Sequence, residues 1–179
     1  MIGVRLVPRL VAAGHDVAGM TRTPGKLELL RGLGAEPVLC DVFAAAELRD
    51  AVVAFQAEAV INELTDLPDR EAATNEANAR MRREGTRNLL AAAEAAEASR
   101  FISQSVAWRL PGDAGAAVSE LERLVLAAQG VVVRYGRLYG PGTYYEHEKP
   151  DPPRVHVDEA ARRTVPALDS ASGIVEVTD

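Results

Sequence analysis

Two periods alternate along this chain, and that alternation limits its fold more than any other feature. Short apolar runs at 16–21 (DVAGMT), 36–41 (EPVLCD), 59–62 (AVIN), 100–105 (RFISQS), 131–135 (VVVRY) and 173–177 (GIVEV) read as strands, with RVHV at 154–157 a shorter candidate. Between them apolar residues recur at helical spacing, first as Val4, Val7, Leu10 and Val11, then over 24–33, 44–55, 71–98, 119–128 and 158–168. Gly14 and Gly34 stand where the first two helices stop, Pro24 falls in a first helical turn, and Asp158 is placed to cap the last helix. Pro8 removes one backbone bond, at a lower cost if it lies near a helix start. Residues 112–115 read as a turn-rich loop and 136–153 as an irregular one. Strands alternating with helices imply βαβ units, hence a single α/β domain on a mostly parallel sheet with right-handed crossovers.

Composition agrees. The chain has 179 residues, enough for one buried core. Aromatics are only 4% of it, and the apolar residues are mainly Ala, Val and Leu, which suits helices laid on a buried parallel sheet. A net charge of −6 argues against a non-specific nucleic-acid surface. Cys40 is the single cysteine, so no internal disulfide is available, and a reducing, cytoplasmic setting fits. No apolar run approaches the ~20 residues that span a bilayer, and no signal peptide is read at the amino end. His15, His147 and His156 have no partners at metal-ligand spacing.

Several segments, in order, resemble the short-chain dehydrogenase/reductase superfamily in its NAD-dependent epimerase/dehydratase branch. GHDVAGMTRTPGKLELLRGLGAEPVLCDV resembles its second strand, helix and third strand. EGTRNLLAAAEAA (84–96) resembles the helix with a GT-x-N-L-L pattern, and RFISQSVA the strand ending in serines. VRYGRLYGPGT (133–143) is the most specific match, followed by VHVDEAARRTVPAL (155–168). The resemblance implies a three-layer Rossmann-type domain binding NAD or NADP and a small substrate, with a small substrate-side lobe from 136–153 and the carboxyl end. The family opens with a strand and a GxxGxxG turn. Only Gly3 matches, as the third glycine, which lets helix and sheet pack closely. The first strand and first two glycines are missing, through either a misassigned start or a short form repaired by another segment or chain. Its loss would leave two unpaired sheet edges, which favour self-association as a homodimer.

The resemblance also assigns roles. Thr21 and Arg22 end the second family strand, where NAD-preferring folds carry an acid. The forked, permanently charged guanidinium of Arg22 suits a 2′-phosphate, favouring NADP, with Lys26 assisting. Asp41 and Val42 would flank adenine, though Asp41 equally suits a turn or cap. Asn62, Leu64, Ser103 and Tyr135 would line the path to the nicotinamide. Active relatives use Ser/Thr with Tyr-x-x-x-Lys, the lysine lowering the tyrosine pKa. Aligning Glu122 with the family's helix glutamate puts Ala114 and Val118 at the tyrosine and lysine places. Lysines occur only at 26 and 149, and the Tyr145/Lys149 spacing lies in a loop, a chance match. Ser105 is the candidate catalytic serine, or else a strand-end serine. Tyr139 is the candidate substitute acid/base, or else a packing residue. The arginines at 80, 82, 83 and 87 read as a solvated helix face, the alternative being that one of them holds an anionic group in the cleft. The function expected is hydride-transfer oxidoreductase or epimerase, the alternative a non-catalytic NADP(H) sensor or partner-binding protein, or an inactive truncated form.

Overall fold

A computed structural model describes residues 1–66 and 76–179. In chain order it contains α1 (Gly3–Ala12), β1 (Ala18–Thr21), α2 (Leu27–Gly32), β2 (Glu36–Leu39), α3 (Ala45–Ala54), β3 (Ala59–Asn62), α4 (Glu76–Arg80), α5 (Thr86–Ala95) and β4 (Arg100–Val106). There follow α6 (Gly112–Ala127), β5 (Val131–Tyr135), β6 (Arg137–Tyr139), β7 (Arg154–His156), α7 (Val157–Thr164) and β8 (Gly173–Val177). A π-helical turn, Met81–Gly85, joins α4 to α5.

All strand pairs are parallel. The main sheet has order β3-β4-β5-β8, and β1 pairs only with β2 in a separate two-stranded sheet. Among the described residues, β1 and β3 each keep one unpaired edge. The period of two along β5 sorts its side chains between two cores. Val131, Val133 and Tyr135 join Ile2, Leu6 and Leu10 of α1 and Val157, Ala160 and Ala161 of α7. Val132 faces Leu48 of α3, Leu89 and Ala92 of α5, and Leu121 and Val125 of α6 on the other side. The result is the expected three layers, helix–sheet–helix.

Four local expectations are corrected. Pro8 is the sixth residue of α1, past its first turn, so the missing N–H costs a mid-helix bond. Residues 112–115 are the start of α6, not a loop. Pro111 is extended at the N-cap, Asp113 lies in the first turn, and Ala114 and Ala117 are buried; small size for packing outweighed the turn composition. At Gly115 an added Cβ would come within 2.1 Å of the Leu110 carbonyl oxygen, so that glycine marks a close approach. Residues 137–139 are a strand, β6, within the expected loop, paired with β7. The cap of α7 is His156, whose Nδ1 accepts from the Asp158 N–H. The expected helix over 71–98 is found from Glu76 onward, and 71–75 lie outside the described residues.

Candidate functional site

The carboxyl ends of β1, β2, β3 and β4 carry nearly every residue singled out from the sequence. At the end of β1 the Thr21 hydroxyl oxygen accepts from the Thr23 N–H, and Arg22 forms a 3.1 Å ion pair with Asp66 from the segment after β3. At the end of β2 the Asp41 carboxylate accepts from the Phe43 N–H at 3.0 Å. Val42 is buried, and its carbonyl accepts from Asn88. A cleft of about 330 Å³ opens there, lined by Arg22, Pro24, Leu39, Cys40, Asp41 and Glu47. Burial, and then the carboxylates of Glu47 and Asp41, push the Cys40 thiol up from its ordinary range, so this thiol is inert at neutral pH.

At the end of β3, Asn62 is almost fully buried and its bonds are all made. Its amide donates to Thr86 of α5 and to Ser103 of β4, and its Oδ1 accepts from the Leu64 N–H. Ser103 donates to the Gln104 carbonyl, and Gln104 donates to the Leu64 carbonyl. This network clamps helix, strand and loop together beside the cleft.

Ser105, two residues along β4, donates to Glu122 of α6 at 2.6 Å, and Arg134 of β5 donates to both oxygens of the same carboxylate at 2.8 and 2.6 Å. Burial alone would push the Glu122 carboxyl up. The bonds from Arg134 and Ser105 outweigh it and hold the group below its ordinary value, so it is ionised. The Ser105 hydroxyl proton is thus committed to a carboxylate. On α6, Ala114 is buried and Val118 half-buried; neither side chain transfers a proton.

The opposite face of β3 is different. Glu63 is one step beyond Asn62 and so turns toward α7. It accepts from the Tyr135 hydroxyl at 2.8 Å, and that phenol also meets Thr164 at 2.6 Å. Its second oxygen is buried without a partner. Desolvation pushes the Glu63 carboxyl up to about 7, against the Tyr135 hydrogen bond, and pushes the Tyr135 phenol well above its ordinary value.

Tyr139 lies apart from this set, on β6. Its hydroxyl donates to Asp179 at 2.9 Å, its ring meets His156 edge-on at 5.3 Å, and the Lys149 ammonium stands 5.1 Å from the ring centre. Tyr139, His156, Lys149 and Glu146 are among the residues lining a second cleft of about 300 Å³. The ring contact that Lys149 makes is with Tyr139. At Gly3 an added Cβ would meet nothing within 4 Å; the tight helix–strand packing that a third glycine permits is not made among the described residues. No group of His, Cys, Asp and Glu able to hold a metal occurs among them, and none of their helices is long and apolar enough to cross a membrane.

Sequence reasoning missed Glu63 and the Arg134–Glu122 pair. Glu63 stands one step past β3 and Arg134 interrupts the apolar run of β5, but neither position shows in the sequence which distant group will meet it. It also missed the π-helical turn, which composition does not signal.

Comparisons with known proteins agree with this geometry. A family model described as NAD(P)H-binding matches residues 1–137. A 3-diazoavenalumate denitrifying reductase from a Streptomyces species is 33% identical over 229 residues, an alignment covering 100% of this chain and 73% of that protein. UDP-glucose 4-epimerase of Thermus thermophilus, crystallised with NAD, superposes with a TM-score of 0.81 at 18% identity, over 99% of this chain and 74% of that one. The UDP-Glc/GlcNAc 4-epimerase of Campylobacter jejuni gives 0.82 at 12% identity, over 99% and 75%. At such identities the two epimerases bear on the fold alone.

Proposed function

We propose, from the premise that this chain belongs to the NAD(P)H-binding family, that it is a reductase whose acceptor takes hydride without needing a proton from the protein. An oxidoreductase/epimerase-like protein of this family binds a nicotinamide dinucleotide, and the residues fit one at both ends. The cleft between Arg22 and Asp41 would take the adenosine, with Arg22 favouring the 2′-phosphate of NADP. Val42 would pack on the adenine, and Asn62, Leu64 and Ser103 would align the nicotinamide. When bound, the reduced nicotinamide supplies hydride.

The observation that carries the proposal is that α6 holds neither a tyrosine nor a lysine. Ala114 and Val118 replace the family's tyrosine and lysine, Ser105 is bound to an ionised Glu122, and Glu63 faces the other side of the sheet. Reduction of a ketone builds an alkoxide that such an acid must quench, and epimerisation must also take that proton back. A cationic acceptor needs neither. In an arenediazonium ion the ring carbon gains the hydride, its bond to nitrogen breaks, and dinitrogen leaves, so atoms and charge balance without a proton. The similarity to a denitrifying reductase acting on a diazo compound supports this class. Ser105 then positions Glu122 and Arg134, and Tyr139 belongs to the substrate-side lobe formed by 136–153 and the carboxyl end. A second reading, an NADP(H)-binding sensor without turnover, draws on the same missing pair. Unpaired edges on β1 and β3 favour a homodimer, and the lone buried Cys40 suits a cytoplasmic setting.

The test is NADPH oxidation with 4-diazobenzoate, with benzoate and released nitrogen as products, beside a panel of ketones. Turnover of the diazonium alone is expected. Faster turnover of ketones would refute the acceptor class, and binding without any turnover would favour the sensor.

A further inference from the structure

The helical stretch Glu76–Ala95 carries four arginines, and three are matched. Arg80 pairs with Glu84 at 2.7 Å and stacks on Phe43, Arg83 pairs with Asp113 and Glu120, and Arg87 pairs with Glu120. Arg82 makes no ion pair or hydrogen bond among the described residues, although it is half-buried. Burial lowers its pKa, as expected of a cation that has given up water without gaining a counter-charge.

A second, independent donor stands beside it. Asn78, one turn earlier on the same helix face, is 1% exposed, and its Oδ1 accepts from the Asp66 N–H. Its amide nitrogen is buried with no partner among the described residues, an arrangement that is costly unless a ligand answers it. One turn after Arg82 comes Thr86, bound to Asn62 at the end of β3. The row 78–82–86 therefore borders the carboxyl ends of β3 and β4, where the nicotinamide and substrate are placed above. Arg82 also lies in the π-helical turn Met81–Gly85, a distortion that recurs at functional sites.

We propose that Arg82 and Asn78 form an oxyanion subsite that holds the acidic group of the substrate, so that the acceptor is a carboxylate-bearing molecule. This rests on the reductase reading above for the identity of the cleft. Two donors four residues apart, each without a partner among the described residues, suit one carboxylate, and Arg recognises it through two parallel N–H···O bonds. A phosphate of the cofactor offers the same chemistry, and the experiment separates the two sources.

Binding of 4-hydroxycinnamate and of its neutral amide would be measured by calorimetry, with and without NADPH, for the wild type and for R82A, R82K and N78A. The expected result is a loss of about ten-fold or more in carboxylate affinity for R82A, partial recovery in R82K and a smaller loss in N78A. Amide and NADPH affinities should be unchanged. Equal affinity of wild type and R82A for the carboxylate would overturn the proposal. So would a fall in NADPH affinity in R82A with carboxylate binding intact, which would assign the pair to a cofactor phosphate. Thermal melting and R82Q, which keeps the length and loses the charge, separate misfolding from lost recognition. If NADPH binds to no variant while the carboxylate still depends on Arg82, the reductase reading fails and the subsite stands.

Discussion

The β3-β4-β5-β8 sheet and the β1-β2 sheet are held together differently. The four-stranded sheet has a continuous parallel ladder, cores on both faces, and an ion pair between β5 and α6. The β1-β2 sheet carries the cleft proposed above for the adenosine. Of its eight residues only Gly19 is buried, Met20 being half-buried, and Leu39 is 54% exposed. Its link to the rest runs through helices, loops and the Arg22–Asp66 pair. One half is a scaffold that stores stability; the other is a recognition arm whose order depends on its neighbours.

The largest effect should come from breaking the scaffold's ion pair. Glu122→Ala strips Arg134 of its main counter-charge and Ser105 of its acceptor. We expect a loss of about 2–4 kcal/mol in denaturant unfolding, somewhat below a fully buried pair because the Arg134 side chain is 31% exposed. Met20→Ala in the recognition arm should cost less. A larger loss for Met20→Ala would reverse the comparison. Next comes local opening. Amide hydrogen exchange in β1 and β2 should be on the order of 100-fold faster than in β4 and β5, about 2.7 kcal/mol of opening free energy. Equal protection would mean that the two sheets unfold as one unit.

Much of this contrast was legible in the sequence. The strands AVIN, VVVRY and GIVEV were placed residue for residue, because an apolar run between turn signals is a strong local cue. The residues proposed for the cofactor were chosen from strand ends and from the family motifs. The start of α6 and the strand at 137–139 were missed, since glycine-rich or mixed composition says turn or loop, while burial of Ala114 and pairing with Arg154–His156 are decided by distant residues. Glu63 is of the same kind. Nothing near it in the chain tells that Tyr135 and Thr164, far along in sequence, will enclose it.

That carboxyl supplies the third prediction. Its folded-state pKa is raised to about 7 from an ordinary 4.5, so the folded protein holds this proton more tightly than the unfolded chain does. The associated stability is fully present below the ordinary value, is lost as pH rises through about 7, and is absent above it. Glu63→Gln keeps an oxygen for the Tyr135 hydroxyl and carries no charge at any pH. The variant should be about 2–3 kcal/mol more stable than wild type near pH 8, and should lose that advantage in mildly acidic buffer. A wild type whose stability is flat across this range would mean that Glu63 reaches solvent or a counter-charge.

The smallest effects belong to the recognition arm, and they sharpen the comparison because they should leave stability nearly untouched. Arg22→Ala should weaken NADPH about ten-fold, or about 1.4 kcal/mol, and leave NADH unchanged, since only the 2′-phosphate would be lost from its reach. Arg22 is not free in this structure; Asp66 engages it at 3.1 Å with both side chains partly exposed. A phosphate must displace that carboxylate, and an exposed pair of this kind is worth about 0–1 kcal/mol. Asp66→Asn should therefore raise NADPH affinity about two- to three-fold while Arg22→Ala lowers it. Opposite signs from two residues in one contact would identify the guanidinium as the phosphate's partner. A fall in both variants would instead make the ion pair a strut that holds β1 against the segment after β3, and the cofactor preference would have to reside elsewhere.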